Sequence, residues 1–232
     1  MAGMDLPVTV LRGVAPPAFE GVANTIAVLV LLAEFLMLRS ALLRAQVRIY
    51  AVQSLFVSVL AGVVAFGRDV PELYVLAVIS MMLKVIAVPL IILALMRDAG
   101  TEIAGSGVIG VASEVIVSIV VAGFGFFAIG ALGLSSPVLP SAALSLAVSV
   151  VLVSFVLMIV RRDVVSQAIG FFSLENGVSL GSLVVAAGLP LILEVAFLFD
   201  LLVAVVVFGV LMRVHHRRAR TYSTSELNRL RG

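Results

Sequence analysis

Apolar residues in this chain are gathered into long runs, and short polar or charged segments separate one run from the next. A helix needs roughly 20 residues to cross about 30 Å of hydrocarbon, and seven of the runs are close to that length. The pattern therefore predicts an all-α, polytopic membrane protein with about seven transmembrane helices. The predicted spans are Gly21–Leu38, Val47–Phe66, Leu73–Met96, Val108–Leu132, Ser141–Val160, Val165–Ala187 and Pro190–Met212.

Short connections join these spans and carry glycine, proline or charge, as residues 67–72 and 134–140 do. No repeat or linker divides the chain, so we expect one transmembrane domain over residues 1–212. The amino terminus lacks the basic and apolar regions of a cleavable signal peptide, and we expect the first span to act as an uncleaved anchor. Residues 213–232 form a short basic cytoplasmic tail, expected either to lie against lipid headgroups or to dock on a cytoplasmic partner.

The lysines and arginines predict the orientation of the helices. With the amino terminus outside, twelve of the 15 fall on the inner side, Arg12 and Arg68 fall outside, and Lys84 falls within the membrane. Because cytoplasmic loops carry an excess of Lys and Arg, this distribution predicts an N-out, C-in chain. Arg161 and Arg162 count among the inner loop cations in this assignment.

Composition narrows the class of protein further. Hydrophobic residues make up 62% of the 232 residues and charged residues 12%, against about 45–50% and about 25% in soluble domains. The absence of cysteine excludes disulfides and cysteine-ligated metal clusters, and both histidines, His215 and His216, lie in the basic tail. The sequence contains no phosphate loop, metal-ligand motif or recognisable nucleophile–base pair. We therefore expect no catalytic centre, no cofactor in this chain and no nucleic acid partner.

Six ionisable residues lie inside the predicted spans, where a charge is energetically expensive and indicates a function. They are Glu34, Lys84, Glu114, Glu175, Glu194 and Asp200. At about 1.5 Å per residue, the lysine, Glu175 and Asp200 are expected near the bilayer midplane. The other three glutamates are expected nearer the two faces, with Glu194 alone towards the outer one.

Two interpretations of these six residues remain open. A desolvated lysine can lose its proton and a desolvated carboxylate can keep one, so groups linked by water would form a proton pathway. In the other interpretation, Lys84 pairs statically with Glu175 or Asp200 and holds the helices together. Glu34 and Glu194 would then be interfacial residues whose carboxylates reach the lipid headgroups.

Further residues in the spans predict how the helices pack. Gln53 and Asn176 are candidate polar partners for the buried charges, although interhelical hydrogen bonding explains them equally well. Gly177 and Gly181 have small-xxx-small spacing, which predicts one close helix neighbour on that face. Pro89 lies five residues after Lys84 and removes a helical hydrogen bond, which favours a kink or local entry of water.

Three segments also carry a family resemblance: LLRAQVRIYAVQSLFVSVLAG at 42–62, LKVIAVPLIILALMR at 83–97 and RRDVVSQAIGFFSLENGVSL at 161–180. The most specific piece is FFSLENGVSL. From about Ala41 to Gly232, the chain resembles component E of hydrogenase-4 and formate-hydrogenlyase-type complexes. From Arg161 onward it also resembles the small K-type subunit of respiratory complex I, with Asp200 where the second buried acid of that subunit is a glutamate.

This resemblance implies a multi-pass subunit of the membrane arm of a group 4 [NiFe] hydrogenase-type complex in a bacterial inner membrane. Its implied partners are antiporter-like and other membrane-arm subunits, a peripheral redox arm and membrane lipids. A [NiFe] centre and iron–sulfur clusters would belong to partner subunits. The chain would help to couple redox chemistry to the translocation of protons or sodium, with Glu175 and Asp200 on the two helices that carry acids in the K-type subunit.

Three alternatives to this role stay open on the sequence alone. In the first alternative, the chain is a structural scaffold of such a complex, with static ion pairs. In the second, it is a stand-alone secondary ion transporter. The lack of internal repeats and of paired broken helices weighs against a transporter. A seven-helix receptor is the third alternative, and its short loops leave little room for ligand recognition.

Overall fold

The computed structural model describes residues 17–68, 71–99, 104, 109–132, 141–185, 205–206 and 208–210. Every regular element in these residues is a helix, which confirms the all-α prediction. The elements are α1 (Pro17–Arg39), α2 (Leu43–Arg68), α3 (Pro71–Ser80), a π-helix (Met81–Ala87), α4 (Val88–Ala99), α5 (Val111–Ala131), α6 (Ser141–Val160) and α7 (Val164–Val185).

Five stretches of the described residues are long and apolar enough to cross a membrane. They are Gly21–Arg39, Leu43–Phe66, Leu73–Arg97, Ala112–Ala131 and Ala142–Val160, and they coincide with the first five predicted spans. The predicted sixth span corresponds to α7, a 22-residue helix that carries more polar residues. The predicted seventh span lies mostly outside the described residues, so the count of seven stays a prediction. Five apolar helices indicate a protein embedded in a membrane.

The distribution of polar and apolar side chains supports this environment. Large apolar side chains point outward along the helices, and Phe124 and Ile159 are 69% and 73% exposed. Glu34, Gln53 and Asn176 are, by contrast, completely buried between helices. Lipid solvates an apolar exterior without free-energy cost, whereas polar side chains in a membrane are stable when they face one another inside the bundle.

The helix α7 lies in the interior of the bundle and packs against α6, α2 and α1. Glycines line its contact with α6: a Cβ atom added at Gly177 would lie 2.9 Å from Val151 Cγ2 and 3.1 Å from its backbone nitrogen. A Cβ at Gly170 would lie 2.7 Å from Met158 Cγ, and one at Gly181 only 3.6 Å from the Ala147 side chain. The prediction of a close helix neighbour at Gly177 and Gly181 is confirmed, and that neighbour is α6.

The third span is interrupted by the π-helix Met81–Ala87. Pro89, just beyond it, has no N–H group, and its ring clashes with the carbonyl group four residues earlier in a regular α-helix. The Val88 N–H group bonds to the carbonyl of Leu83, five residues back, which is the π-helical pattern. The irregularity that Pro89 predicts therefore takes the form of a widened turn. Lys84 lies in the middle of this turn and is buried.

Candidate functional site

A buried ion pair joins the π-helix to α7. Lys84 Nζ lies 3.0 Å from Glu175 Oε1, and the two side chains are only 2% and 8% exposed. Lys84 Nζ also lies 3.3 Å from Ser179 Oγ, one helical turn beyond Glu175 on the same face of α7. The sequence predicted that Lys84 lies at the same depth as an acid, and in the structure the acid that contacts it is Glu175.

A second polar cluster surrounds Glu34 where α1, α2 and α7 meet. Gln53 Nε2 donates to Glu34 Oε2 at 2.9 Å and to the Val30 carbonyl at 3.2 Å. Ser173 Oγ is hydrogen-bonded to Glu34 Oε2 and lies 2.8 Å from Gln53 Oε1. Glu34 is 0% exposed, so the interpretation that its carboxylate reaches the headgroups is wrong.

The Glu34 cluster continues along α7 to the neighbour of Glu175. Asn176 Nδ2 lies 3.1 Å from Gln53 Oε1 and 2.8 Å from Ser54 Oγ. Asn176 follows Glu175 directly in the chain, so the two clusters approach one another across a single peptide unit. Gln53 and Asn176, predicted as polar partners of the buried charges, thus bond to each other, and Gln53 also bonds to Glu34.

The interface between α2 and α7 carries a second polar contact nearer the ends where both helices begin. Ser166 Oγ donates to Gln46 Oε1 at 2.9 Å, and Gln46 Nε2 donates to the Ser40 carbonyl at 2.9 Å. Gln46 precedes Gln53 by seven residues, and Ser166 precedes Ser173 by seven, so each pair lies on one helix face. This contact was not predicted from the sequence, although two polar residues seven apart within an apolar helix are the signal that indicates it.

Glu114 is held at the same end of the bundle by an arginine. Its Oε2 atom lies 3.5 Å from Arg161 Nη2, and the Glu114 and Arg161 side chains are 1% and 8% exposed. Arg161 Nη2 also donates to the carbonyl of Leu38 near the end of α1. One arginine therefore ties α5, α1 and the α6–α7 turn together.

Arg161 was predicted as a loop cation, and the structure places it in the interior. The connection between α6 and α7 is only three residues long, because Asp163 Oδ1 accepts the Ser166 N–H at 2.7 Å and caps α7 at once. Gln167 Nε2 holds the Arg161 carbonyl at 2.9 Å. Arg162, the next residue, is exposed. The sequence offered one signal for the buried position of Arg161: Glu114 is expected at the same depth in the membrane and had no other predicted basic partner.

Two of the six predicted site residues, Glu194 and Asp200, lie outside the described residues. A short helical piece near them, residues 208–210, carries Phe208, whose ring centroid lies 5.9 Å from that of Phe172 and 6.0 Å from that of Phe171 on α7. Part of the predicted seventh span therefore packs against α7.

Several buried polar atoms in the described part of the chain have no hydrogen-bond partner there. They include Glu34 Oε1, the Tyr50 hydroxyl and Asn176 Oδ1. Tyr50 packs its ring against Phe172 at a centroid distance of 5.9 Å, which directs the residue into the α2–α7 interface. Buried polar atoms of this kind are the positions that internal water occupies in proteins.

The described residues thus place three carboxyl groups and two basic groups in a low-dielectric interior. Among them no group of three or more His, Asp or Glu side chains is arranged to hold a metal ion. The chemistry that the arrangement supports is the holding and exchange of protons, because hydroxyl and amide side chains bond to Lys84 and to Glu34.

Comparisons with known proteins add one partial match. No protein-family model matches the chain. The chain is similar to the uncharacterized protein Rv0085 of Mycobacterium tuberculosis, with 39% identity over 89 residues. The match covers 38% of this chain and 39% of that protein, so it spans about two fifths of the relative's length. No solved structure matches the chain.

The Glu114–Arg161 pair makes a prediction for stability. Replacing Arg161 by methionine leaves a buried carboxylate without its partner, and we expect a loss of about 3–5 kcal/mol in the free energy of unfolding. The double variant with Arg161→Met and Glu114→Gln removes both charges, and we expect it to regain most of that loss. Equilibrium unfolding of the purified variants in detergent measures both effects.

Arg162→Met is the matched control, because this arginine is adjacent and exposed. It is expected to change stability by no more than about 0.5 kcal/mol. An Arg161→Met variant as stable as Arg162→Met would contradict the ion pair.

Proposed function

We propose that this chain is a non-catalytic membrane-arm subunit of a complex-I-like, group 4 [NiFe] hydrogenase-type complex in a bacterial-type inner membrane. Its role is to couple redox chemistry in partner subunits to the movement of protons, or of sodium, across the membrane. The observation that carries this proposal is the Lys84–Glu175 ion pair, which is buried inside a bundle of helices with apolar exteriors.

A buried lysine–glutamate pair is suited to this role by its electrostatics. Each ionised group alone is costly at this depth, but a proton can pass from the lysine to the glutamate without changing the net charge of the pair. A charge moved nearby in a partner subunit shifts that balance. The membrane potential acts on each transferred charge by about 2.3 kcal/mol per 100 mV, so such transfers carry useful energy.

The polar contacts of the interior support a route away from this pair. Glu175 adjoins Asn176, Asn176 contacts Gln53, and Gln53 contacts Glu34. At the inner end of the proposed orientation, Glu114 and Arg161 form the next charged group. The six residues of the proposed pathway are Lys84, Glu175, Asp200, Glu114, Glu34 and Glu194, and Glu194 is expected towards the outer face.

The assignment to a hydrogenase-type assembly comes from the resemblance of segments 42–62, 83–97 and 161–180 to hydrogenase-4 component E. It supplies the partners: antiporter-like membrane subunits, and a peripheral arm with the [NiFe] centre and iron–sulfur clusters. The chain itself contributes no cofactor ligands in this proposal. Its orientation is N-out and C-in.

A static scaffold in the same complex is the second candidate. It is favoured by the direct contact at 3.0 Å between Lys84 and Glu175, which satisfies both charges and ties the third span to α7. Buried pairs of this kind fix helix arrangement in some proteins without taking part in transport. A stand-alone ion transporter is the remaining alternative.

The orientation is tested by cysteine accessibility, for which this chain needs no background mutations because it contains no cysteine. We expect a cysteine at Ser135 to react with a membrane-impermeant maleimide from outside. A cysteine at Ser223, in the tail, is expected to react only after the membrane is opened. The reverse pattern would contradict the N-out, C-in assignment.

The assembly is tested by purifying the tagged protein in a mild detergent and identifying the proteins that accompany it by mass spectrometry. We expect antiporter-like membrane subunits together with a redox arm that contains nickel–iron or iron–sulfur proteins. Recovery of a lone monomer or homo-oligomer would reject the complex and favour an independent transporter.

The coupling role is tested by the double variant Lys84→Met with Glu175→Gln, which removes both charges and leaves no unpaired carboxylate in the interior. A conduit with these substitutions is expected to assemble with its partners but to lose redox-driven ion movement in membrane vesicles, because the pair can no longer exchange a proton. A scaffold is expected to keep ion movement wherever it assembles. Arg97→Gln is the matched control, since this exposed arginine lies in the same span and is expected to leave both properties intact.

A further inference from the structure

The hydrogen bonds around Glu34 define a site that the ion pairs do not explain. Glu175 and Glu114 each have a basic partner, whereas the groups that border Glu34 are neutral: Gln53 from α2, Ser173 from α7 and Ser154 from α6. Arg161, a buried cation of the described residues, is bound to Glu114 and to the Leu38 carbonyl. A buried carboxylate without a compensating charge is strongly disfavoured.

We infer that Glu34 is a proton-binding site that holds its proton in this structure, and that its carboxyl group donates a hydrogen bond to Ser173. The bonds then run in one direction, from Glu34 to Ser173 and from Ser173 to Gln53. The inference follows from counting the protons available to the oxygen atoms of the cluster.

The Val30 carbonyl can only accept a hydrogen bond. The Gln53 atom that lies 3.2 Å from it is therefore the nitrogen, which also donates to Glu34 Oε2. The other amide atom, Gln53 Oε1, can only accept and lies 2.8 Å from Ser173 Oγ. Ser173 has a single hydroxyl proton, and in the inferred arrangement this proton goes to Gln53 Oε1, which also accepts from Asn176 Nδ2 at 3.1 Å.

The contact between Ser173 Oγ and Glu34 Oε2 then needs a proton of its own. Ser173 has none left, so the proton belongs to Glu34. Ser154, which also borders the carboxyl group, donates its hydroxyl proton to the Val150 carbonyl at 2.9 Å. The second carboxyl oxygen, Glu34 Oε1, has no hydrogen-bond partner among the described residues.

Reversing the Gln53 amide group does not remove the need for this proton. Gln53 Oε1 would then face Glu34 Oε2 at 2.9 Å, and two acceptors at that distance again require a proton on the carboxyl group. The reversed amide would also place its oxygen against the Val30 carbonyl oxygen, which is unfavourable. Both orientations therefore lead to a protonated Glu34.

The inference deepens the proposed function, and only its meaning for transport rests on that proposal. Release of the proton from Glu34 requires Ser173 to turn its hydroxyl from Gln53 towards the new carboxylate. Gln53 also contacts Asn176, which follows Glu175 in the chain, so this change affects a residue next to the ion pair. Glu34 is thus the proton-loaded member of the pathway, and Lys84–Glu175 is the ionised member.

Infrared difference spectroscopy of the full chain, with whatever partners purify with it, tests the inference in lipid at neutral pH. We expect the carbonyl-stretch band of a protonated carboxylic acid, which shifts in deuterium oxide and on labelling with carbon-13 glutamate. Glu34→Gln is expected to abolish the band. Glu175→Gln, the matched control on the ion-paired acid, is expected to leave it in place.

Ser173→Ala provides a second readout that does not depend on replacing the acid. It removes the acceptor of the Glu34 proton, so we expect the band to stay but to shift to the frequency of a more weakly bonded acid. Absence of the band from the unmodified protein, its survival in Glu34→Gln, or no shift in Ser173→Ala would each overturn the inference. A band found in a chain that purifies alone would keep the proton site and reject the assembly.

Discussion

The structure depends on the free energy of holding ionisable groups where neither water nor lipid can solvate them. An isolated charge in such a place is disfavoured by several kcal/mol or more. The chain meets this constraint in two ways. Glu175 and Glu114 have basic partners in Lys84 and Arg161. Glu34 has only neutral partners, and a proton on its carboxyl group supplies the hydrogen bond to Ser173. Each carboxyl group of the described interior is thereby neutralised.

The central helix α7 contributes side chains to both arrangements, Glu175 to the ion pair and Ser173 to the Glu34 cluster. Its glycine-lined face allows α6 to approach closely, as Gly170 and Gly177 leave no room for a side chain there. Its polar residues are directed towards α1, α2 and the π-helix, where Glu175, Asn176 and Ser173 find their partners. A helix that would expose these groups to lipid at a large free-energy cost is stable because the groups face neighbouring helices inside the bundle.

The π-helix gives the Lys84–Glu175 pair a particular setting. The widened turn before Pro89 departs from regular α-helical hydrogen bonding in the segment that carries the lysine. Such turns are common at functional sites, because a small change in backbone register moves a side chain without unfolding the helix. The pair therefore joins a rigid, glycine-packed helix to a span with an irregular backbone. A scaffold needs only the contact, whereas a coupling subunit uses both the contact and the irregular turn.

The sequence by itself determined the class of the protein, because long apolar runs have no stable solution other than helices in a membrane. It also predicted the depth of the buried charges, since rise per residue is a property of the helix alone. It predicted Lys84 at the same depth as Glu175, and Glu114 near the end of the bundle at which Arg161 lies. Only the tertiary structure decided the partners. Position along a helix does not specify how neighbouring helices are arranged around it. For this reason Arg161 was taken for a loop cation and Glu34 was open to an interfacial interpretation, until the short α6–α7 turn and the meeting of α1, α2 and α7 placed both in the interior.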